Sequence, residues 1–227
     1  MGTTLQSHPH GLTAWRQLAD ATAISAGTLL LDVGCGDGGF CEFAAARGAS
    51  VCGLDSSPAA IERVKARLPG DFRVGRMEAL PWPDGSFDVV TGFNAFQYAV
   101  DVDSALAEAV RVARRGGRLA ICKWGRPQDN EFFRFLIACG VALPASTRAA
   151  DPIDGAIHRA GVAIVDSGEI RADIRVEDSA AFEAALAATG AFQSDTAQRC
   201  LRAAEPFRQP DGSFRFRSHL RYMVAVT

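Results

Sequence analysis

Leu29-Leu30-Leu31-Asp32-Val33-Gly34-Cys35-Gly36-Asp37-Gly38-Gly39-Phe40 is the stretch that decides the fold. An apolar run carrying one acid and followed by alternating glycines predicts a buried strand that turns sharply into a helix, here from about Gly39 to Arg47. Gly34, Gly36 and Gly38 remove side chains where the backbone turns tightly and a ligand comes close. The first N–H groups of the helix point back into that gap. The stretch therefore predicts a nucleotide-type site at the C-terminal end of a first strand. Gly34 to Gly39 also satisfies the dinucleotide pattern G-x-G-x-x-G, which by itself does not choose the nucleotide. Asp32 adds negative charge where a pyrophosphate would lie, and it suits a ligand with a cationic centre and an amino group.

Downstream, strands and helices alternate. Ser50–Asp55 reads as a second short strand ending in an acid, and Ser57 as N-cap with Pro58 at the first helical position opens a helix to about Leu68. Asp71–Gly75 is a third strand, Pro81–Ser86 a turn-rich loop and Phe87–Thr91 a fourth strand. A helix over Ser104–Ala113, closed by Gly116-Gly117, leads to a fifth strand at Arg118–Lys123. This order predicts an α/β fold, doubly wound around a mostly parallel sheet with both faces covered.

The flanks read differently. Residues 1–12 suggest a loose arm, and Thr13–Thr22 a first helix. After Trp124, a helix over Asn130–Val141 and an amphipathic piece at Ile153–Arg159 read as an insertion covering the C-terminal edge of the sheet. Glu169–Val176 reads as a strand and Asp178–Thr189 as a helix. From Phe214 to Val226, apolar residues alternate with Arg215, Arg217, His219 and Arg221, the pattern of a late antiparallel strand with one face less buried. The expectation is one domain over 1–227: an arm and helix (1–25), a cofactor-binding core (26–124), a lid insertion (125–160) and closing strands and helices (161–227).

A chain of 227 residues can bury a real core without staples. With 24 basic against 26 acidic residues, the net charge of −2 argues against nucleic acid or an anionic membrane surface as main partner. Six cysteines without C-x-x-C or metal-ligand spacing read as free, mostly buried thiols in a reducing compartment, with no metal. The first residues lack a signal-peptide pattern and no apolar run is long enough to span a membrane, so the expectation is a cytoplasmic protein. Nothing in the pattern speaks to oligomeric state.

Asp55 closes the second strand 19 residues beyond Gly36, where an acid can accept both hydroxyls of a ribose. Taken together, these residues resemble a known family. Leu30 to Gly38 is similar to the first motif of class I S-adenosylmethionine-dependent methyltransferases, and Leu54-Asp55 to the second. Glu78-Ala79-Leu80-Pro81-Trp82-Pro83-Asp84-Gly85-Ser86-Phe87-Asp88-Val89-Val90 resembles the third-strand loop and fourth strand of the small-molecule branch, and Arg111 to Leu119 its approach to strand five. The likeness runs from Thr28 to Trp124.

The resemblance implies a Rossmann-like, seven-stranded sheet with an antiparallel late strand. It also implies a small-molecule substrate and S-adenosylmethionine as cofactor. Asp32, Gly34, Gly36 and Gly38 would pack against its methionine part, with Asp55 and Ser56 at the ribose, Met77 and Glu78 at adenine and Asn94 beside the methionine moiety. Two positions depart from the pattern. Arg76 stands where relatives often carry an acid, leaving the adenine amino group to Glu78 or a backbone carbonyl, and Gln97 and Tyr98 stand where histidines are common. Methyl transfer needs a base only for weakly acidic acceptors. His8, His10, His158 and Tyr98 are the candidates, and none is assigned a catalytic role. Trp15, Arg16, Gln97, Tyr98 and Phe132 are the expected acceptor-side residues, with Trp124 and Phe133 as further pocket walls. A protein that binds the cofactor without methylating, or in a regulatory role, is the alternative; a nicotinamide-dependent enzyme is a weaker one.

Overall fold

The computed structural model describes residues 9–140, 152–181 and 194–227. They gather into two compact units: Met1–Lys123 with Ala150–Ile170 and Arg221–Thr227, and Trp124–Ala149 with Arg171–Leu220. The boundary thus falls otherwise than the sequence pattern suggests, because the two parts of the expected insertion belong to different units.

In chain order, helix α1 (Pro9–Ala21) precedes strand β1 (Leu29–Val33), α2 (Gly39–Ala45), β2 (Ser50–Asp55), α3 (Pro58–Lys65) and β3 (Asp71–Val74). Then come β4 (Phe87–Phe93), α4 (Val102–Val112), β5 (Ala113–Trp124), α5 (Glu131–Ala138), α6 (Pro152–Arg159) and β6 (Ala163–Arg171). The last elements are β7 (Ile174–Val176), α7 (Ser194–Ala204), β8 (Phe214–Phe216) and β9 (His219–Val226). The main sheet has seven strands in the order β3-β2-β1-β4-β5-β9-β6, and β1 pairs in parallel with both β2 and β4. Chain direction therefore reverses its march across the sheet between β1 and β4, which opens a crevice at the carboxyl ends of those strands. β9 is the antiparallel strand: Gly116 N–H donates to Thr227 O at 2.7 Å and Thr227 N–H to Gly117 O at 3.1 Å.

Alternating residues of β1 feed opposite faces. Leu31 and Val33 join one core cluster with Val90, Leu106 and Ile121, and Leu30 joins the other with Phe40, Ile61 and Phe72. Both faces are covered, so β1 is apolar almost throughout. The loop Pro81–Ser86 is held from α4: Arg111 donates to the carbonyls of Leu80 and Trp82 (2.9 Å each) and to Asp84 (2.7 Å).

Several elements differ from the sequence expectation. The helix α1 already begins at Pro9, inside the expected arm. No glycine pair ends α4; β5 starts at Ala113, and a register shift opposite Phe87 and Val89 absorbs Gly116, whose φ is +75°. The late strand is two strands, because Arg217 N–H donates to Glu131 Oε2 (2.7 Å) and Ser218 O accepts from Ala172 (2.8 Å). β8 consequently pairs with β7, with Arg175 opposite Arg215. The single strand expected over Glu169–Val176 is likewise divided between β6 and β7. The helix expected over Asp178–Thr189 lies partly outside the described residues. Helix α7 was not expected at all.

The largest correction concerns α6. Ile153, Ala156 and Ile157 are 0–1% exposed within the main cluster, and Arg159 pairs with Asp103 of α4 at 2.8 Å. This helix walls the core of the sheet and is not a lid. The second unit has its own core, in which Phe135, Cys139, Cys200, Ala204, Phe214 and Phe216 are buried.

Candidate functional site

A cavity of about 280 Å³ opens at the carboxyl ends of β1 to β4. Gly34 enters it from β1, Leu54, Asp55 and Ser56 from β2, Gly75 to Glu78 after β3, and Asn94 and Ala95 after β4. Tyr98, Ala99 and Val100, in and after a 3-10 turn at Phe96–Tyr98, complete the wall.

Asp55 is fixed before any ligand arrives. Its Oδ2 accepts the Gly36 N–H at 2.8 Å and its Oδ1 the Ser57 N–H at 2.9 Å. The glycine turn and the start of α3 thus hold one carboxylate from both sides, and each oxygen keeps lone pairs for a further donor. Helix α3 is capped separately by Ser57 Oγ, which accepts from Ala60 N–H at 3.3 Å, so Asp55 does not serve as its cap.

The three glycines do three different things. Gly34 (φ +73°) faces Ala95, whose Cβ would lie 2.5 Å from an added methyl group. Gly38 (φ +87°) would strike Val64 Cγ2 of α3 at 2.3 Å, so it packs the helix and does not line the cavity. Gly36 (φ +55°) has open space beside it and needs glycine for conformation alone. Gly38→Ala is expected to cost about 2–4 kcal/mol, from the left-handed backbone plus overpacking, and Gly36→Ala only about 1–2 kcal/mol. Urea denaturation of the two variants checks the order; equal losses would contradict it.

Glu78 is already engaged. Its Oε1 accepts Val100 N–H at 2.7 Å and Asp101 N–H at 3.4 Å, and Arg76 lies 3.4 Å from its Oε2. Burial pushes this carboxyl upward, but those backbone donors and Arg76 outweigh it and hold the group below the ordinary range. Of the two adenine-side alternatives, Glu78 spends its better oxygen on the loop after the 3-10 turn, and Arg76 pairs with the same acid.

Asn94 sits at φ +49°, an uncommon backbone for a residue other than glycine. Its N–H donates to Cys122 O at 2.7 Å, while its side-chain Oδ1 is buried without a hydrogen-bond partner among the described residues, as is Gln97 Oε1. Of the two, Asn94 lines the cavity, and its buried acceptor without a donor marks a place where a donor is due.

Asp32 is 2% exposed and lies behind the turn, outside the cavity lining. It accepts from Thr91 Oγ1 at 2.7 Å. Burial pushes its carboxyl up to about 7; the Thr91 bond opposes this and the charge of Asp55 adds to it.

The expected acceptor-side residues scatter. Trp15 leaves the set: it is 7% exposed and packs its ring against Phe40 and Phe43 of α2, at 6.4 and 6.1 Å between centroids. Phe132 belongs to the aromatic core of the second unit, 6.3 Å from Trp124 and 5.8 Å from Phe216, and Phe133 lies 5.4 Å from Trp124. Arg16 is exposed on α1 and Gln97 half-buried, neither lining the cavity, whereas Tyr98 is 56% exposed and does line it. His8 falls outside the described residues, His10 lies in α1, and His158 is exposed on α6. Leu54, Gly75, Ala99 and Val100 are lining residues that carried no chemical signal in the sequence: Leu54 lies inside β2, Gly75 just after β3, and Ala99 and Val100 just after the 3-10 turn.

Residues 31–121, from the middle of β1 to β5, match the family described as methyltransferase domain. Over that span the chain is similar to a methyltransferase domain. Proteins similar to this chain include the 2-methyl-6-phytyl-1,4-hydroquinone methyltransferase of Synechocystis sp., 35% identical over 54% of this chain and 39% of that protein. The demethylmenaquinone methyltransferase of Renibacterium salmoninarum is 37% identical over 52% of this chain and 51% of its own. The chain thus spans about half or less of the length of these two curated relatives. The YcgJ protein of Bacillus subtilis has the same fold, with a TM-score of 0.65 at 18% identity over 94% of this chain and 97% of that one. The cyclase SpnF also shares it, at a TM-score of 0.61 and 20% identity over 94% of this chain and 80% of that one. No helix among the described residues is long and apolar enough to cross a membrane.

Proposed function

We propose that this protein moves a methyl group from S-adenosylmethionine to a small-molecule acceptor, and that the β1–β4 cavity holds the cofactor. The observation that carries this reading is the convergence of Gly34, Asp55, Glu78 and Asn94, from four separate loops, on one cavity within the span similar to a methyltransferase domain. The cavity also passes a chemical test of fit. Asp55 offers a preset carboxylate for a pair of ribose hydroxyls, and Asn94 Oδ1 is a buried acceptor suited to an ammonium donor. When bound, the cofactor supplies an activated methyl group whose leaving group is a neutral thioether. The chain's own part is then to orient and to dry. Asp55 and Ser56 bind at one end, Met77, Ala99 and Val100 offer apolar wall, and Tyr98 stands half-open at the rim where an acceptor enters. Gly34 lets Ala95 close against the turn beside the cavity, since a Cβ there would meet Ala95 at 2.5 Å.

Asp32 supports the site from behind and touches no ligand in this reading; it shapes the turn through Thr91. Two relatives, one named for a phytyl-hydroquinone and one for demethylmenaquinone, support trying quinols as the first acceptors. All six cysteines are free thiols, which suits a reducing compartment, and we place the protein in the cytoplasm. Calorimetric titration should give saturable binding of both S-adenosylmethionine and S-adenosylhomocysteine. A folded chain that binds neither at high micromolar concentration overturns the proposal. A second reading, a cofactor-binding protein with another reaction, draws on the shared fold of the cyclase. Mass spectrometry separates the two, since only methyl transfer yields a product heavier by one methylene.

A further inference from the structure

The second unit contains a cavity of about 490 Å³ that the methyltransferase reading does not use. Arg134 of α5, Arg171 at the end of β6, Arg215 of β8 and Arg217 just beyond it line this cavity together with Glu131 and Phe207. Two carboxylates organise the arginines. Asp173 binds Arg171 Nε at 3.0 Å and Arg215 Nη2 at 2.5 Å. Glu131 binds Arg217 Nη2 at 2.7 Å, lies 3.7 Å from Arg134 Nη2, and accepts the Arg217 backbone N–H at 2.7 Å.

The arrangement is unequal in charge and in depth. Four arginines face two acids, which leaves two positive charges at one place in a chain of net charge −2. The acids lie deep, at 13% and 18% side-chain exposure, while the guanidinium groups stand 44–65% exposed above them. Both carboxyls are kept ionised: burial pushes them up, and the arginine bonds more than reverse it. Asp173 takes the Nε edge of Arg171 and both Nε and Nη2 of Arg215, and Glu131 takes the same two positions on Arg217. Arg171, Arg215 and Arg217 are therefore held in place, and each guanidinium keeps N–H donors that these two carboxylates do not take. Preset, paired guanidinium donors match the oxygens of a phosphoryl group bidentately, and a surplus of two charges matches a dianion.

An ordinary solvated ion-pair face would balance its signs, whereas this open cleft does not. Here repulsion extends from Arg217 to Arg171, and the cavity is as large as a small-metabolite pocket. Phe207, packed on Phe216 at 4.8 Å, adds an apolar wall beside the charges. We propose that this cavity binds the phosphate or diphosphate group of a small organic molecule, with Arg134, Arg171, Arg215 and Arg217 as its ligands. The proposal is independent of what the β1–β4 cavity holds.

The test is calorimetry on the full chain with pyrophosphate, inorganic phosphate and glycerol phosphate, at low ionic strength. Saturable binding of one equivalent is expected, weakening as salt rises, since half-exposed charges are screened. The double variant Arg134→Gln/Arg171→Gln should weaken it by about tenfold or more, because two of the four forks are lost. Neither residue closes the fold, and circular dichroism confirms that the variant is folded. Arg175→Gln, on β7 but paired with Asp211, should leave the affinity within about twofold. Whichever of pyrophosphate and glycerol phosphate binds more tightly supports the site and names its group. No saturable binding by any of the three to the folded chain overturns the proposal, and so does a double variant that binds as well as the original. Equal weakening by Arg175→Gln also overturns it, since that reports diffuse surface charge.

Discussion

Asp55→Ala is expected to weaken S-adenosylmethionine binding by about 2–4 kcal/mol, a loss of roughly thirty- to a thousandfold. Two effects add. The ribose-side acceptor is removed, and hydrogen bonds to an ionised group are worth about 1.5–3 kcal/mol. The turn is also loosened, because the Gly36 and Ser57 N–H groups lose the carboxylate that now holds them at 2.8 and 2.9 Å. The second effect lowers stability as well, by about 1–3 kcal/mol. Measuring both quantities on the same samples separates them. Asp55→Asn sharpens the comparison, since its amide can accept only one of the two N–H bonds while filling the same space. Its affinity should fall between the two. If a folded Asp55→Ala protein bound the cofactor as tightly as the original, Asp55 would be a structural clamp of the turn and no part of the binding site.

Asp32 should make the protein less stable as pH rises from about 4 to about 7. Its carboxyl titrates near the ordinary 3.8 in the unfolded chain and at about 7 in the folded one, where burial disfavours the charge. Between those values the folded state holds a proton that the unfolded state has lost, so raising the pH favours unfolding. At about 1.4 kcal/mol per pH step, the full window is worth about 4 kcal/mol. The stabilising proton is fully in place below pH 4 and its benefit is gone above pH 7. Asp32→Asn removes this group's share while leaving an oxygen to accept from Thr91, now at 2.7 Å. Urea unfolding at several pH values should therefore show the variant gaining on the original as pH rises, and ending more stable above neutrality. Parallel stability curves for the two proteins would show that Asp32 does not hold a proton in the folded state. Thr91, Asp55 and Cys41, whose sulfur lies 4.0 Å from Asp32 Oδ2, are its polar surroundings.

The first half of the chain was readable because its determinants are local. A glycine with positive φ, a Ser-Pro helix start or a run of aliphatic residues announces itself within a few positions, and such signals gave β1, the turn, β2 and α3 in order. The acid at the end of β2 could be singled out by spacing from the turn alone. Reading failed where two distant segments decide the matter. The break between β8 and β9 depends on Glu131, 86 residues away, taking the Arg217 N–H. Trp15 was read as a pocket wall because an aromatic on an amphipathic helix looks the same in either place, yet its ring belongs to the core with Phe40. α6 looked like a cover because its apolar face is short; that face is buried in the main cluster.

At the candidate site, the conformational requirements are local and legible one residue at a time: a turn that glycines at Gly34, Gly36 and Gly38 make, and an acid at the next strand end. These are properties of single residues, dictated by φ and by side-chain chemistry. Tertiary structure alone decided what each requirement serves. Gly38 exists for Val64, Gly34 for Ala95, and Glu78 for the amide of Val100, while four arginines from separate elements meet around Asp173 and Glu131. Such pairings join residues far apart in the chain, and a distance in space leaves no trace in one sequence until the sheet has set which strand lies beside which.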